Sequence, residues 1–216
     1  MCKLHTLTDL DHEQESGLFP KLQQFLHLCP EKFNDPELHS RFLAGVKPKS
    51  VLLEELGTLK NHIENLHCPV VFSHNDLLPK NIILDDRKET VSFIDLEYAM
   101  YNYQPYDIAN HFNSYAGVAV DNDLYPDHEY QLLWIRNYLE IWNEQTACEA
   151  PLTDLAVERF YVQVKKFALV ARLFWGLWAL IQANNSTVDF DYLGYGIDRL
   201  NEYFARKDEL LALKVP

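Results

Sequence analysis

Residues 70–98 read Val70-Val71-Phe72-Ser73-His74-Asn75-Asp76-Leu77-Leu78-Pro79-Lys80-Asn81-Ile82-Ile83-Leu84-Asp85-Asp86-Arg87-Lys88-Glu89-Thr90-Val91-Ser92-Phe93-Ile94-Asp95-Leu96-Glu97-Tyr98. Short apolar runs at Val70–Phe72, Ile82–Leu84 and Val91–Ile94 alternate here with polar clusters. Runs of that length, rich in Val, Ile and Phe, predict strands rather than helices. The last two flank the polar turn Asp85–Glu89 and so predict a β-hairpin. Pairing them brings Asn81, just before one strand, close to Asp95, just after the other.

Working outward, the pattern turns helical on both sides. Leu52, Leu56, Leu59, Ile63 and Leu66 recur every three or four residues and predict an amphipathic helix, with Ser50 as its N-cap and Pro69 as its stop. From about Asp127 onward helical spacing dominates and predicts helices near 128–144, 153–183 and 191–206. No internal repeat or Pro/Gly-rich linker divides the chain, so residues 1–216 are read as one domain. The expected class is α+β, mostly helical, with a short hairpin in the middle.

Composition sets outer limits on function. Of 216 residues, 48% are apolar, enough to fill a core. Lys and Arg total 19 against 32 Asp and Glu, a formal charge of −13. Such an excess of carboxylates repels nucleic acid and anionic membranes and tolerates cationic substrates or metal ions. Cys2, Cys29, Cys68 and Cys148 are scattered, which reads as free thiols rather than a disulfide framework or zinc site. The N-terminal residues lack a basic region followed by an apolar run, so no signal peptide is expected. Phe167–Ile181 is too short to span a bilayer and carries Arg172, which predicts a buried core helix. A soluble, cytoplasmic protein without membrane insertion or a nucleic-acid partner is expected.

The polar residues around the hairpin carry the chemistry. His74 to Asn81 has the H-x-D-x-x-x-x-N spacing of a kinase catalytic loop, and Asp95 falls where kinases place a metal-binding Asp. Phosphoryl transfer needs a carboxylate to orient the attacking hydroxyl and accept its proton, for which Asp76 is the candidate. It also needs oxygen ligands for Mg²⁺, for which Asn81 and Asp95 are candidates. An Asn/Asp-rich turn could arise for backbone reasons alone. The joint pattern of strand, H-N-D, Asn, hairpin and I-D is far more restrictive.

Several motifs then resemble one family. H-N-D-L-L-x-K-N-I-I (74–83), F-I-D-x-E-Y-A (93–99), Y-N-Y-Q-x-x-D-I-x-N-H-F-N (101–113) and A-G-V (116–118) are similar to the ethanolamine kinases. Those group with choline kinases in the protein-kinase-like superfamily. The likeness continues through Phe160–Val164, Phe174–Gln182 and Phe190–Tyr192. It implies a kinase-like C-terminal lobe that uses ATP and Mg²⁺ to phosphorylate ethanolamine, with choline the alternative amine. The product would be phosphoethanolamine, made in the first step of phosphatidylethanolamine synthesis; a homodimer is compatible with it. The resemblance makes Asp76 the base, Asn81, Asp95 and Glu97 the metal site, and Asp107 a brace for the loop. His74 and His111 are read as hydrogen-bonding core residues. It also implies an amine pocket of Tyr98, Trp175, Trp178 and Tyr195, since aromatic faces attract cations.

Two departures shape the expectations. Ser114 stands where the family usually has Glu near the amine, whereas Leu77-Leu78 matches the ethanolamine-kinase form of the loop. Met1–His5 resembles the family helix that follows the hinge between lobes, and no G-x-G-x-x-G array precedes it. The smaller lobe, with its phosphate-covering loop and Lys, is therefore expected to be missing. A catalytically silent binding or dimerisation module is the rival from another class. An aminoglycoside-type phosphotransferase fits Trp175-Gly176-Leu177-Trp178 less well.

Overall fold

The computed structural model describes residues 1–7 and 14–216. Helices α1 (Cys2–His5), α2 (Leu18–Leu28), α3 (Pro36–Gly45) and α4 (Lys49–Glu64) come first. Strands β1 (Val70–Ser73), β2 (Ile82–Asp85), β3 (Thr90–Phe93) and β4 (Met100–Tyr103) follow. Helices α5 (Gln104–Ser114), α6 (His128–Gln145), α7 (Asp154–Asn185) and α8 (Tyr192–Leu211) complete the order. The result is mostly helical with small antiparallel sheets, the class expected from the sequence.

Helix α7 is the axis of the core. Thr153 caps its start by accepting a hydrogen bond from Ala156 N, and from Val164 to Phe174 every side chain is buried. A helix buried around its whole circumference is enclosed on all sides, here with Lys165, Lys166 and Arg172 among its buried side chains. Leu22 and Phe25 of α2, Leu59 and Ile63 of α4, Ile108 and Phe112 of α5, and Leu200 and Tyr203 of α8 enclose it in one cluster. Arg172, within this run, pairs with Glu202 at 3.4 Å. No helix among the described residues is long and apolar enough to cross a membrane. Helix α8 approaches α7 closely because Gly176 faces Gly196. A Cβ on Gly196 would lie 3.2 Å from both Ala179 Cβ and the Gly176 carbonyl oxygen.

The hairpin forms in the register Ile82↔Phe93 to Asp85↔Thr90. At its base, Ile94 N donates to Asn81 O at 3.1 Å, which sets Asn81 opposite the residue before Asp95. Strand β1 does not join that hairpin. It pairs antiparallel with β4, from Val70↔Tyr103 to Ser73↔Met100, a strand the polar pattern Met-Tyr-Asn-Tyr does not announce. The ends of α4 also differ from expectation. Its N-cap is Pro48, at φ −50 and ψ 146 with no side-chain cap, so Ser50 lies inside the first turn. Proline's fixed φ already suits entry to a helix. At the other end the helix stops at Glu64, and His67 at φ 49 reverses the chain before Pro69 is reached.

Candidate active site

The site begins where β1 ends. His74, Asn75 and Asp76 follow Ser73 as a buried loop, and Asn75 takes a left-handed φ of 64. A non-glycine residue holds that conformation only when its surroundings dictate it. Here they do. Asp107, in the first turn of α5, accepts from Asn75 N at 2.7 Å through Oδ1 and from His74 N at 2.9 Å through Oδ2. Burial alone would raise the Asp107 pKa. The hydrogen bond and charge of His5 and the two loop amides more than offset it and hold the carboxyl below its ordinary value.

Amides of other elements complete the loop's support. Asn75 Nδ2 donates to Ser73 O at 3.1 Å and to Tyr98 O at 3.0 Å, while Asn75 Oδ1 accepts from Asn102 Nδ2 at 2.7 Å. Asn110 Nδ2 donates to Asn75 O at 2.8 Å. His74 Nε2 donates to Ile94 O at 2.9 Å and so ties the loop to the end of the hairpin. His111 Nδ1 donates to Leu77 O at 2.9 Å, and burial lowers its pKa, which favours the neutral ring. The sequence suggests Asp107 as a brace and His74 and His111 as hydrogen-bonding core residues, but does not single out Asn75, Asn102 or Asn110. The available signal was the recurrence of Asn inside strand and helix positions otherwise filled by buried residues.

Asp76 is 8% exposed, and its pKa is pushed up to about 7. Burial is the largest cause, followed by the negative charges of Asp95, Glu97 and Asp107; a hydrogen bond from Asn81 acts the other way. Asn81 Nδ2 donates to Asp76 O at 2.8 Å, and its Oδ1 meets no donor among the described residues. Asp95 sits at φ 64 with an exposed carboxylate, and Glu97 is exposed in the 3-10 turn Leu96–Tyr98. Neither has an ion-pair partner among the described residues. Those residues contain no cluster of three or more His, Cys, Asp or Glu able to hold a metal alone. Mg²⁺ does not require one: it commonly takes one or two carboxylates together with substrate phosphates and water. A free amide oxygen beside repelling carboxylates fits such an ion.

Aromatic residues gather beside this loop. The Tyr98 and Trp175 ring centroids are 5.3 Å apart, Trp175 and Trp178 are 5.4 Å apart, and Trp178 and Tyr192 are 5.7 Å apart. Trp178 Nε1 donates to Tyr98 OH at 2.9 Å, and Trp175 Nε1 donates to Asn110 Oδ1 at 2.7 Å. Tyr195 does not stack on Trp175 or Trp178. Its ring packs against Phe190 and lies under Arg199, whose guanidinium carbon is 5.1 Å from the centroid. Tyr192, which sequence reading passed over, takes the place beside Trp178. Ser114 lies one turn beyond Asn110 on the same helix face, with its hydroxyl donating to His111 O at 2.7 Å.

A loop carboxylate set against an Asn/Asp pair across a hairpin, under a helical core, defines the protein-kinase-like catalytic fold. Residues 1–204 match the choline/ethanolamine kinase family model, and the chain belongs to that family. Ethanolamine kinase 1 of Homo sapiens is 48% identical over 203 residues, which are 94% of this chain and 45% of that protein. Ethanolamine kinase of Drosophila melanogaster is 47% identical over 91% of this chain and 37% of its own length. A solved Plasmodium vivax ethanolamine kinase superposes with a TM-score of 0.73 at 30% identity, over 88% of this chain and 49% of its own. The chain thus spans about half the length of the curated relatives it matches.

Proposed function

We propose that the chain is the catalytic part of an ATP-dependent phosphotransferase of the ethanolamine-kinase type. The hydroxyl oxygen of ethanolamine bonds to the terminal phosphorus of ATP, the bond from that phosphorus to the bridging oxygen breaks, and ADP leaves. Asp76 takes the hydroxyl proton as the new bond forms. Asn81 and Asp95 would hold Mg²⁺, with Glu97 adding negative charge beside it. When bound, the ion neutralises charge on the phosphates. Tyr98, Trp175 and Trp178 hold the ammonium against their faces, with Tyr192 closing the cluster. Residues 1–216 act as one lobe in this reading, on a small amino alcohol in the cytoplasm.

One observation carries the reading: the catalytic loop and the aromatic cluster are held by the same amides. Asn75, next to Asp76, donates to Tyr98 O, and Asn110 bonds both Asn75 O and Trp175 Nε1. A base and an ammonium-binding surface fixed to one another suit a substrate with a hydroxyl and an amine a short chain apart. The relatives' names point the same way. The test is product analysis by phosphorus NMR after incubating the chain with millimolar Mg-ATP and either ethanolamine or choline. Phosphoethanolamine should accumulate faster than phosphocholine. The reverse order would make the enzyme a choline kinase, and ADP without either product would remove the transfer reaction.

A further inference from the structure

Asp107 is fully buried, and among the described residues no Lys or Arg lies within ion-pair range of it. Besides the His74 and Asn75 amides it takes a side-chain donor from the far end of the sequence. His5 Nε2 lies 3.0 Å from Asp107 Oδ2. His5 is itself fully buried, and its Nδ1 is 2.6 Å from Tyr138 OH in α6. Gln104 Nε2 donates to the same Tyr138 oxygen at 2.9 Å.

The proton order along this chain follows from the partners. An ionised Asp107 accepts only, so His5 Nε2 carries a proton and donates it to Oδ2. His5 Nδ1 meets the Tyr138 hydroxyl, whose oxygen also receives Gln104 Nε2, so the ring is fixed from both sides. A buried carboxylate deprived of one donor is poorly compensated and strains its remaining bonds.

We propose that His5 is a positioning residue for the catalytic loop. It acts through Asp107 on the His74 and Asn75 amides, and so on the placement of Asp76. The kinetic part of this inference rests on the phosphotransferase reading; the structural part does not. Displacing a reacting group by about 1 Å can cost roughly 100-fold in rate.

The test compares His5→Phe, which fills the ring's volume without hydrogen bonds, with His5→Gln, which supplies an N–H and an acceptor oxygen. Amide hydrogen exchange, followed by NMR in the full chain, gives a readout that needs no activity. In His5→Phe, exchange at His74 and Asn75 should accelerate about 10-fold or more while amides in the middle of α7 stay unchanged. The kcat for ethanolamine phosphorylation should fall about 10-fold or more at nearly constant KM, and His5→Gln should restore most of both. Parallel acceleration of all amides, with Gln no better than Phe, would make His5 a stability residue and overturn the proposal. So would looser loop amides with kcat unchanged. If the unsubstituted chain transfers no phosphate, the phosphotransferase reading fails and the amide readout alone decides the brace.

Discussion

Burial and the charges of Asp95, Glu97 and Asp107 favour the protonated form of Asp76, so the fold binds a proton that the unfolded chain releases at lower pH. The sign follows directly. With a folded pKa of about 7 against an ordinary 3.8, Asp76 costs stability increasingly as pH rises through that window, and the cost is complete above 7. Replacing Asp76 by Asn should therefore raise thermal stability at pH 8 and leave it nearly unchanged at pH 4. The gain should be on the order of 1–3 kcal/mol, allowing for solvent in the cleft. Asp107, whose pKa is lowered, has the opposite dependence, but both forms share it and it cancels in the difference. Melting curves across pH check this; equal midpoints at pH 8 would show that Asp76 is not held at a disadvantage. Ser114 offers a second residue-scale test, since its hydroxyl is occupied by His111 O one turn beyond the anchor of Trp175. In Ser114→Glu, kcat/KM for ethanolamine should rise about 10-fold relative to choline, because a primary ammonium can donate charge-assisted hydrogen bonds that a quaternary one cannot. A fixed ratio, or one that moves toward choline, would place Ser114 away from the amine.

Among the elements, the α7–α8 crossing sets the spacing of Trp178 and Tyr192, and it depends on the bare backbone at Gly176 and Gly196. Gly196→Val would press branched carbons on Ala179 and on the Gly176 carbonyl, and neither can yield without moving a helix. A loss of about 2 kcal/mol or more is expected from overpacking, read as a lowered midpoint in urea. An unchanged midpoint would show that the helices part freely. The long helices were legible because their apolar periodicity is strong: those expected at 128–144 and 153–183 appear as His128–Gln145 and Asp154–Asn185. The hairpin was legible because two short apolar runs flank the polar turn Asp85–Glu89. β4 and α5 were not, since Asn102, Gln104, Asp107, Asn110, His111 and Asn113 are buried as hydrogen-bonding groups, and burial of that kind interrupts the apolar pattern. The Asn75–Asn102–Asn110 network and His5 escaped notice on the same grounds. Tyr192 and Tyr195 are equally compatible with a site on α8. Their helical phase, visible only once α7 is packed, separates the one beside Trp178 from the one beneath Arg199.

For the whole molecule, the outer side of the hairpin is open. Ile83, Leu84, Val91, Ile94 and Leu96 are exposed around Asp95 and Glu97, so a nucleotide on that side meets only one apolar wall among the described residues. Mg-ATP should bind this chain more weakly than about 0.1 mM, the range expected when few contacts enclose a ligand. Calorimetric titration giving a low-micromolar constant would show that this surface suffices by itself. The central claim is that the chain catalyses phosphate transfer from ATP to an amino alcohol with Asp76 as the base that takes the hydroxyl proton. Its most direct test is the rate of phosphoethanolamine formation at saturating Mg-ATP by the chain and by its Asp76→Asn form. Ethanolamine-dependent product is expected from the first, with a loss of about 10²–10⁴-fold in the second, the usual contribution of a positioned base. Equal rates in the two would contradict the claim, and so would the absence of product from the unsubstituted chain.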